Sequence, residues 1–201
     1  MKTELISKDR INSFSDAIFS IAMTLLILEI DIPSYAELKE FGTINALAKR
    51  VPSFIGFLVS FLVTAIYWIE YVRIMKFATT IDKSLFRLNI LLLLFIVLMP
   101  FSTAFFVEGF NINGSFVFYT FNLALIGLIN YLITRKITSS NIELDIIHIK
   151  WKRAKALNSF LFWLITGVLA FASLFIAKCM FLVVFLVQLA IDTYYKKKLR
   201  Q

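Results

Sequence analysis

Six apolar stretches alternate with short polar segments along the chain. They cover residues 15–32, 53–75, 88–107, 115–134, 157–177 and 179–194. A transmembrane helix needs roughly 20 mostly apolar residues, and each stretch is close to that length. The pattern therefore predicts an all-α integral membrane protein with six transmembrane helices, formed by a single domain over residues 1–201. Only Lys178 separates the last two stretches, so we expect a tight turn there.

The polar segments carry different charges on the two sides of this predicted bundle. Seventeen of the 21 Lys and Arg residues fall on the side that holds both termini. The other side has only Lys39, Lys49, Arg50 and Lys178. Because positive loops stay in the cytoplasm, this asymmetry predicts a multi-pass protein of the cell (inner or plasma) membrane with both termini cytoplasmic. No small-residue cleavage site accompanies the first stretch, so we expect no removable signal peptide.

Composition argues against several classes of function. Hydrophobic residues make up 60% of the chain, well above the share in a soluble domain. The single cysteine, Cys179, and the single histidine, His148, supply neither a disulfide nor a metal-ligand cluster. We therefore expect no enzyme activity, no cofactor and no metal site. The net charge of +8 is concentrated in the polar segments, which assigns it to membrane topology and not to nucleic-acid binding.

The first stretch is the candidate site because hydroxyl groups border an apolar stripe on its helical wheel. The stripe contains Ala17, Ile21, Leu25 and Leu28, with Thr24 at its edge and Ser20 just beyond. If several copies of the helix surrounded an axis, the apolar side chains would form dry constrictions and the hydroxyl oxygens would meet a partly dehydrated cation. The same stripe suits ordinary packing between transmembrane helices. The residues alone leave both interpretations open.

A motif at the start of this stretch resembles a known family. Arg10, Phe14, Ser15 and Asp16 match the RxxxFSD signature of the transmembrane protein 175 family of potassium channels. The following AIFSIAMTLLILEI resembles the first helix of that family, and LNILLLLFIVLMPFST, residues 88–103, resembles its third. The resemblance implies a potassium-preferring cation channel. In that interpretation the chain is a prokaryotic-type single repeat of six helices that assembles as a homotetramer in the lipid bilayer.

The resemblance also implies roles for individual residues of the first helix. Ile21 would form the narrowest ring of the pore, with further apolar rings at Leu25 and Leu28. Thr24, together with Ser20, would contribute to the preference for K⁺ among monovalent cations. The four signature residues would support the pore helix through a hydrogen-bonded network on the cytoplasmic side, without binding the ion.

Two other functions remain open from the residues. A secondary transporter would use Asp16, Glu29 and Asp31 as coupling acids, although these acids lie near the ends of the span and no inverted repeat is visible. A non-conducting membrane scaffold or lipid-binding protein would also suit the composition.

Three local features lead to further predictions. Segment 33–52 suits either a short amphipathic helix or a plain connector. Pro100 predicts a kink in the third span, with the hydroxyl groups of Ser102 and Thr103 available for the carbonyl groups that the kink frees. The basic run over residues 150–155 is expected to face anionic lipid headgroups.

Overall fold

The fold, taken from a computed structural model that describes residues 7–140 and 146–199, consists of helices, and no strand occurs in those two ranges. The α-helices in chain order are α1 Lys8–Leu25, α2 Tyr35–Ala48, α3 Val51–Met75, α4 Lys83–Val97, α5 Met99–Glu108, α6 Asn113–Ser140, α7 Ile146–Ala172 and α8 Leu174–Leu199. A 3-10 turn, Leu26–Glu29, extends α1.

Five helical stretches are long and apolar enough to cross a membrane, and they are Lys8–Glu29, Tyr35–Met75, Lys83–Glu108, Asn113–Ser140 and Ile149–Ala172. α8 is the sixth long helix and covers the predicted span 179–194, in which several side chains lie outside the described residues. The predicted fold class, an all-α membrane protein, is therefore confirmed. The assignment of residues 1–201 to a single domain stays a prediction.

The predicted kink in the third span is present. The span is divided into α4 and α5, with the break at Leu98. Pro100 has no N–H to donate to the carbonyl group one turn earlier, so the helical ladder cannot continue unchanged through this point.

The hydroxyl groups beside the kink bind a different carbonyl group from those expected. Ser102 Oγ and Thr103 Oγ1 both donate to the Met99 carbonyl oxygen, at 3.0 and 2.8 Å, and this carbonyl belongs to α5 itself. The donor that reaches across to α4 is Asn122 Nδ2 of α6, which lies 3.2 Å from the Phe95 carbonyl oxygen. An amide from a neighbouring helix therefore binds the backbone next to the break.

The turn between the last two helices lies at Ser173, five residues before the predicted position at Lys178. Ser173 N donates to the Leu169 carbonyl oxygen, and Ser173 Oγ accepts from Ile176 N at 3.4 Å, as a helix N-cap does. Lys178 is instead helical, with its ammonium 3.4 Å from the centre of the Phe110 ring. Lysine is a good helix former, so one charge did not interrupt the helix.

Within segment 33–52, Tyr35–Ala48 forms a helix, so the segment is not a plain connector. Ser34 and Glu37 form a capping box at the start of α2, and each side chain binds the backbone of the other residue. Gly42 has φ +73° and divides the helix into two short parts. Arg50 binds the Glu37 carboxylate through both guanidinium nitrogens, at 2.6 and 2.9 Å, so the end of the loop is fixed to its beginning.

The core of the subunit is built around α6, the most buried of the spans, which contacts α3, α4, α5 and α7. Two glycines allow α6 and α7 to approach each other closely. A Cβ atom on Gly127 would lie 3.0 Å from the Phe160 backbone of α7, and one on Gly167 would lie 2.9 Å from Thr120 Oγ1 of α6. Small residues at such crossings let transmembrane helices pack backbone to backbone.

We expect Gly127→Ala to destabilise the subunit by about 1–3 kcal/mol, because the added methyl group overlaps the backbone of α7, which cannot rotate away as a side chain can. The measurement is thermal unfolding of the purified protein in detergent. Gly114→Ala is the matched control, since no atom lies within 4 Å of its Cβ position. Equal unfolding midpoints for the two variants would show that the α6–α7 contact is not this close.

Candidate functional site on the first helix

The two faces of α1 differ in burial. One face packs against α3, α4 and α5 and contains the buried residues Ile11, Ser15, Phe19, Ala22 and Leu26. The opposite face is exposed in the subunit and contains Ala17, Ser20, Ile21, Thr24, Leu25 and Leu28. Ile21 is 54% exposed and Leu28 is 73% exposed, high values for large apolar side chains. The stripe found on the helical wheel is therefore not used for packing within the described part of the subunit.

The outer end of this face departs from a uniform α-helix. Leu26–Glu29 is a 3-10 turn, and Ile30 N donates to the Ile27 carbonyl oxygen at 3.3 Å. Side chains three residues apart eclipse one another in a 3-10 helix. Leu28 therefore lies nearly in line with Leu25, whereas the wheel places it closer to Ala17. Both leucines remain on the exposed face.

The two hydroxyl groups of the exposed face are oriented by their own helix. Ser20 Oγ donates to the Asp16 carbonyl oxygen and Thr24 Oγ1 donates to the Ile21 carbonyl oxygen, each at 2.8 Å. A hydroxyl group has one hydrogen and two acceptor lone pairs. Because each hydrogen is bound to the backbone, the groups present oxygen lone pairs on the exposed side, which is the chemistry that a cation ligand needs.

Ser15 is the centre of a buried hydrogen-bonded cluster on the opposite face. Its Oγ donates to the Ile11 carbonyl oxygen at 2.8 Å and accepts from Tyr71 OH at 2.9 Å and from Asn89 Nδ2 at 3.1 Å. These partners come from α3 and α4, so one serine fixes α1 to both neighbouring helices. We call Ser15, Tyr71 and Asn89 the Ser15 cluster.

The other signature residues are placed differently. Asp16 Oδ1 accepts from Trp68 Nε1 of α3 at 2.8 Å. Phe14 is 53% exposed, and Arg10 is exposed and makes no hydrogen bond or ion pair with the described residues of its own subunit. Within a subunit, the hydrogen-bonded network thus contains Ser15 and Asp16 but neither Phe14 nor Arg10.

Three residues of this network were not predicted from the sequence as part of it. Tryptophan is common at membrane interfaces, which would explain Trp68 without this contact, and Tyr71 had no assigned role. Asn89 carried a detectable signal, because a side-chain amide inside an apolar stretch needs a hydrogen-bonding partner. Nothing in the sequence indicated that the partner is Ser15.

The segment that contains α1 is similar to known proteins. Residues 10–100 match the family model described as endosomal/lysosomal potassium channel TMEM175. The chain is also 37% identical over 99 residues to a potassium channel of Chamaesiphon minutus and 36% identical over 99 residues to one of Streptomyces collinus. The match to the family model covers slightly less than half of the chain. The whole candidate site, including Trp68, Tyr71 and Asn89, lies inside this matched segment.

The matches to these relatives are partial. The first covers 49% of this chain and 49% of the Chamaesiphon protein, and the second covers 49% and 47%. The chain therefore spans about half the length of the curated relatives that it matches. It is also 29% identical over 103 residues to the endosomal/lysosomal proton channel TMEM175 of Homo sapiens, which is 48% of this chain and 20% of that protein. TMEM175 relatives are thus named for potassium in some cases and for protons in others.

Similarity of fold extends beyond the matched segment. The structure superposes on the crystal structure of a lysosomal potassium-selective channel TMEM175 homologue from Chamaesiphon minutus with a TM-score of 0.81 at 23% sequence identity. The superposition covers 94% of this chain and 97% of that chain. Helices α6 and α7, which follow the matched segment in sequence, therefore belong to the same fold.

The acids that a transporter would use are far apart along the first helix. Asp16 lies two turns into α1 and is bound to Trp68, whereas Glu29 ends the 3-10 turn and Asp31 follows it, both exposed. At about 1.5 Å per residue, thirteen helical residues separate Asp16 from Glu29 by about 20 Å. In the described ranges, no group of three or more His, Cys, Asp or Glu residues has the geometry to hold a metal ion.

Proposed function

We propose that this protein is a potassium-preferring cation channel whose subunits form a homotetramer, with α1 of each subunit lining a central pore. The observation that carries the proposal is the exposed apolar face of α1, bordered by oriented hydroxyl groups and opposite a fully packed face. The two bacterial relatives named as potassium channels support it over the 99 residues that each matches. We place the protein in the cell membrane with both termini in the cytoplasm, because the positive charges concentrate on that side.

In this proposal, conduction is controlled by apolar rings. Four copies of Ile21 would surround the axis, with further rings of Leu25 and Leu28 toward the outer end. A narrow apolar ring excludes water unless it widens, and an ion without water has a high energy there. Such a ring limits flux for all ions and separates ions of similar size only weakly. The apolar rings are therefore proposed as the gate and not as the source of potassium preference.

We assign the potassium preference to the hydroxyl oxygens of Thr24 and Ser20. Their hydrogens are bound to backbone carbonyls, so a cation on the exposed side of α1 would meet lone pairs. K⁺ is larger than Na⁺ and holds its water less tightly, so a few weak oxygen ligands compensate more fully for the water that K⁺ loses.

The signature residues are proposed to hold the inner end of the pore helix. Ser15 and Asp16 act within the subunit, through the Ser15 cluster and through Trp68. Arg10 and Phe14 are exposed, and we assign them to contacts with a neighbouring subunit.

The test of this function is a flux assay on purified protein in liposomes, with K⁺ and Na⁺ compared under the same gradient. A mass measurement of the intact oligomer accompanies it. We expect passive flux that follows the electrochemical gradient, a higher rate for K⁺ and a tetrameric mass. Flux that saturates and is coupled to a second solute would favour a transporter, and absence of flux at all voltages would favour a scaffold.

We expect Thr24→Val to lower the potassium-to-sodium permeability ratio while preserving conduction, because valine keeps the shape of threonine and removes the oxygen. Loss of about 1 kcal/mol in relative ion stabilisation corresponds to about a fivefold change in the ratio. The measurement is the reversal potential in planar bilayers under bi-ionic conditions. Thr80→Val, at an exposed threonine outside α1, is the control. If the permeability ratio of Thr24→Val is unchanged, Thr24 does not contribute to the potassium preference.

A further inference from the structure

Three cationic side chains gather around one carboxylate where the end of α3 meets the beginning of α7. Glu70 Oε1 accepts from Arg73 Nη1 at 3.1 Å and from Lys155 Nζ at 3.0 Å. Lys155 is nearly covered, with 12% of its side chain exposed, whereas 56% of the Arg73 side chain is exposed. Lys155 lies one turn after Lys152 on α7. We call these four residues the Glu70 cluster.

Within the described part of the chain, Lys152 is the cation of this cluster without an anionic partner. Its side chain is partly buried, with the ammonium 4.8 Å from the centre of the Phe77 ring, and it forms no ion pair with the residues in 7–140 and 146–199. The Glu70 carboxylate attracts its charge, while Arg73 and Lys155 repel it. Among the described residues, three positive charges therefore surround the one carboxylate of the cluster, which is already bound twice. A partly buried charge in such a position is stabilised by an additional anion.

Two neighbouring basic residues do not take part in the Glu70 cluster. Arg153, although in the same basic run, is directed away and closes the end of α6, donating to Thr138 Oγ1 and Ser139 Oγ at 2.8 Å each. Lys150 is exposed. Within this run, Lys152 and Lys155 are therefore the residues that converge on Glu70.

The cluster lies at the boundary of the membrane spans. α3 ends at Met75, and the apolar stretch of α7 begins at Leu157, directly after the basic run. Trp151, a residue type typical of membrane interfaces, is partly buried next to Lys152. Most of the Lys and Arg residues are on this side, which we assign to the cytoplasm. The cytoplasmic leaflet contains anionic phospholipids, and basic pockets between transmembrane helices on that side bind their headgroups.

We propose that the Glu70 cluster binds the phosphate headgroup of an anionic phospholipid in the cytoplasmic leaflet. Lys152 supplies the ammonium that lacks an anion, and Arg73 contributes the guanidinium N–H groups that Glu70 leaves free. Glu70 holds Arg73 and Lys155 in place and at the same time limits the affinity, because its charge repels the phosphate. The proposal does not depend on ion conduction, and a protein without channel activity could bind lipid at this site.

The test is a titration of the purified protein in detergent with phosphatidylglycerol, with bound lipid counted by native mass spectrometry. We expect Lys152→Ala to weaken binding of the first phosphatidylglycerol about fivefold, the equivalent of about 1 kcal/mol for one lysine near an anionic surface. Lys150→Ala removes the same charge from the same end of α7 and should leave this affinity unchanged. Glu70→Gln should increase it, because the repulsion is removed.

Several outcomes would overturn the proposal. Equal weakening by Lys152→Ala and Lys150→Ala would show general attraction to the surface and no site. Equal binding of the zwitterionic phosphatidylcholine would show that the headgroup charge is not recognised. Displacement of phosphatidylglycerol by an equimolar amount of inorganic phosphate would identify the ligand as a soluble anion. If Glu70→Gln does not fold, the comparison of Lys152→Ala with Lys150→Ala still tests the proposal.

Discussion

Replacement of Ile21 by alanine should raise cation flux through the reconstituted protein about tenfold or more. Ile21 has an exposed side chain on a helix whose opposite face is packed, so the proposed ring can be widened without disturbing the core of the subunit. Each alanine removes three carbon atoms from the constriction, and the space that they leave admits water. A barrier lowered by about 1.4 kcal/mol gives a tenfold rate. The measurement is single-channel conductance and open probability in planar bilayers.

The control for this experiment is Ile176→Ala. Ile176 lies on α8 and is 55% exposed, nearly the same as Ile21, so the two substitutions remove the same atoms from equally exposed positions. Only Ile21→Ala should change conduction. If both variants conduct like the unaltered protein, Ile21 is not the constriction. A rise in flux with an unchanged potassium-to-sodium ratio would further support a ring that gates without selecting.

The exposed face of α1 shows what hydrophobic periodicity can predict. An α-helix repeats every 3.6 residues, so the stripe through Ile21 and Leu25 follows from the sequence, and the structure leaves both side chains uncovered. The wheel could not tell whether that face packs inside the subunit, because periodicity describes one helix and not its neighbours. The resemblance to a channel family favoured a pore-lining face over a packing face. The 3-10 turn at Leu26–Glu29 escaped prediction because its residues also suit an α-helix.

The supporting contacts of α1 were harder to predict. Ser15 is bound by Tyr71 and Asn89, which are 56 and 74 residues away in the chain. Sequence patterns report on neighbours three or four residues apart, so they identify a buried polar residue without identifying its partner. The turn at Ser173 was misplaced for a similar reason: hydropathy does not change across it, and the charge of Lys178 was the only visible interruption. Pro100 was predicted correctly because its effect on the backbone is local.

Replacement of Asn89 by alanine should weaken the attachment of α1 to α4. Asn89 Nδ2 donates to Ser15 Oγ inside a buried cluster. Ser15 Oγ keeps its bonds to the Ile11 carbonyl oxygen and to Tyr71 OH, so the variant loses one buried hydrogen bond. Such a loss costs about 0.5–1.5 kcal/mol, and the cost recurs in every subunit. We expect a fall of several degrees in the midpoint of thermal unfolding in detergent and a lower yield of intact oligomer. The potassium-to-sodium permeability ratio of the remaining channels should not change, because Asn89, on α4, contacts the packed face of α1 and not its exposed face.

Asn111→Ala is the matched control, since Asn111 is exposed in the loop between α5 and α6. It removes the same amide and should unfold like the unaltered protein. Tyr71→Phe provides a second, smaller change in the Ser15 cluster, because it removes one hydroxyl group and preserves the ring that lies 5.9 Å from Phe19. Its effect should have the same sign as that of Asn89→Ala and be smaller. Normal stability in Asn89→Ala together with an altered ion ratio would place Asn89 in the conduction path, and the face of α1 that we assign to packing would then have to be the face toward the pore.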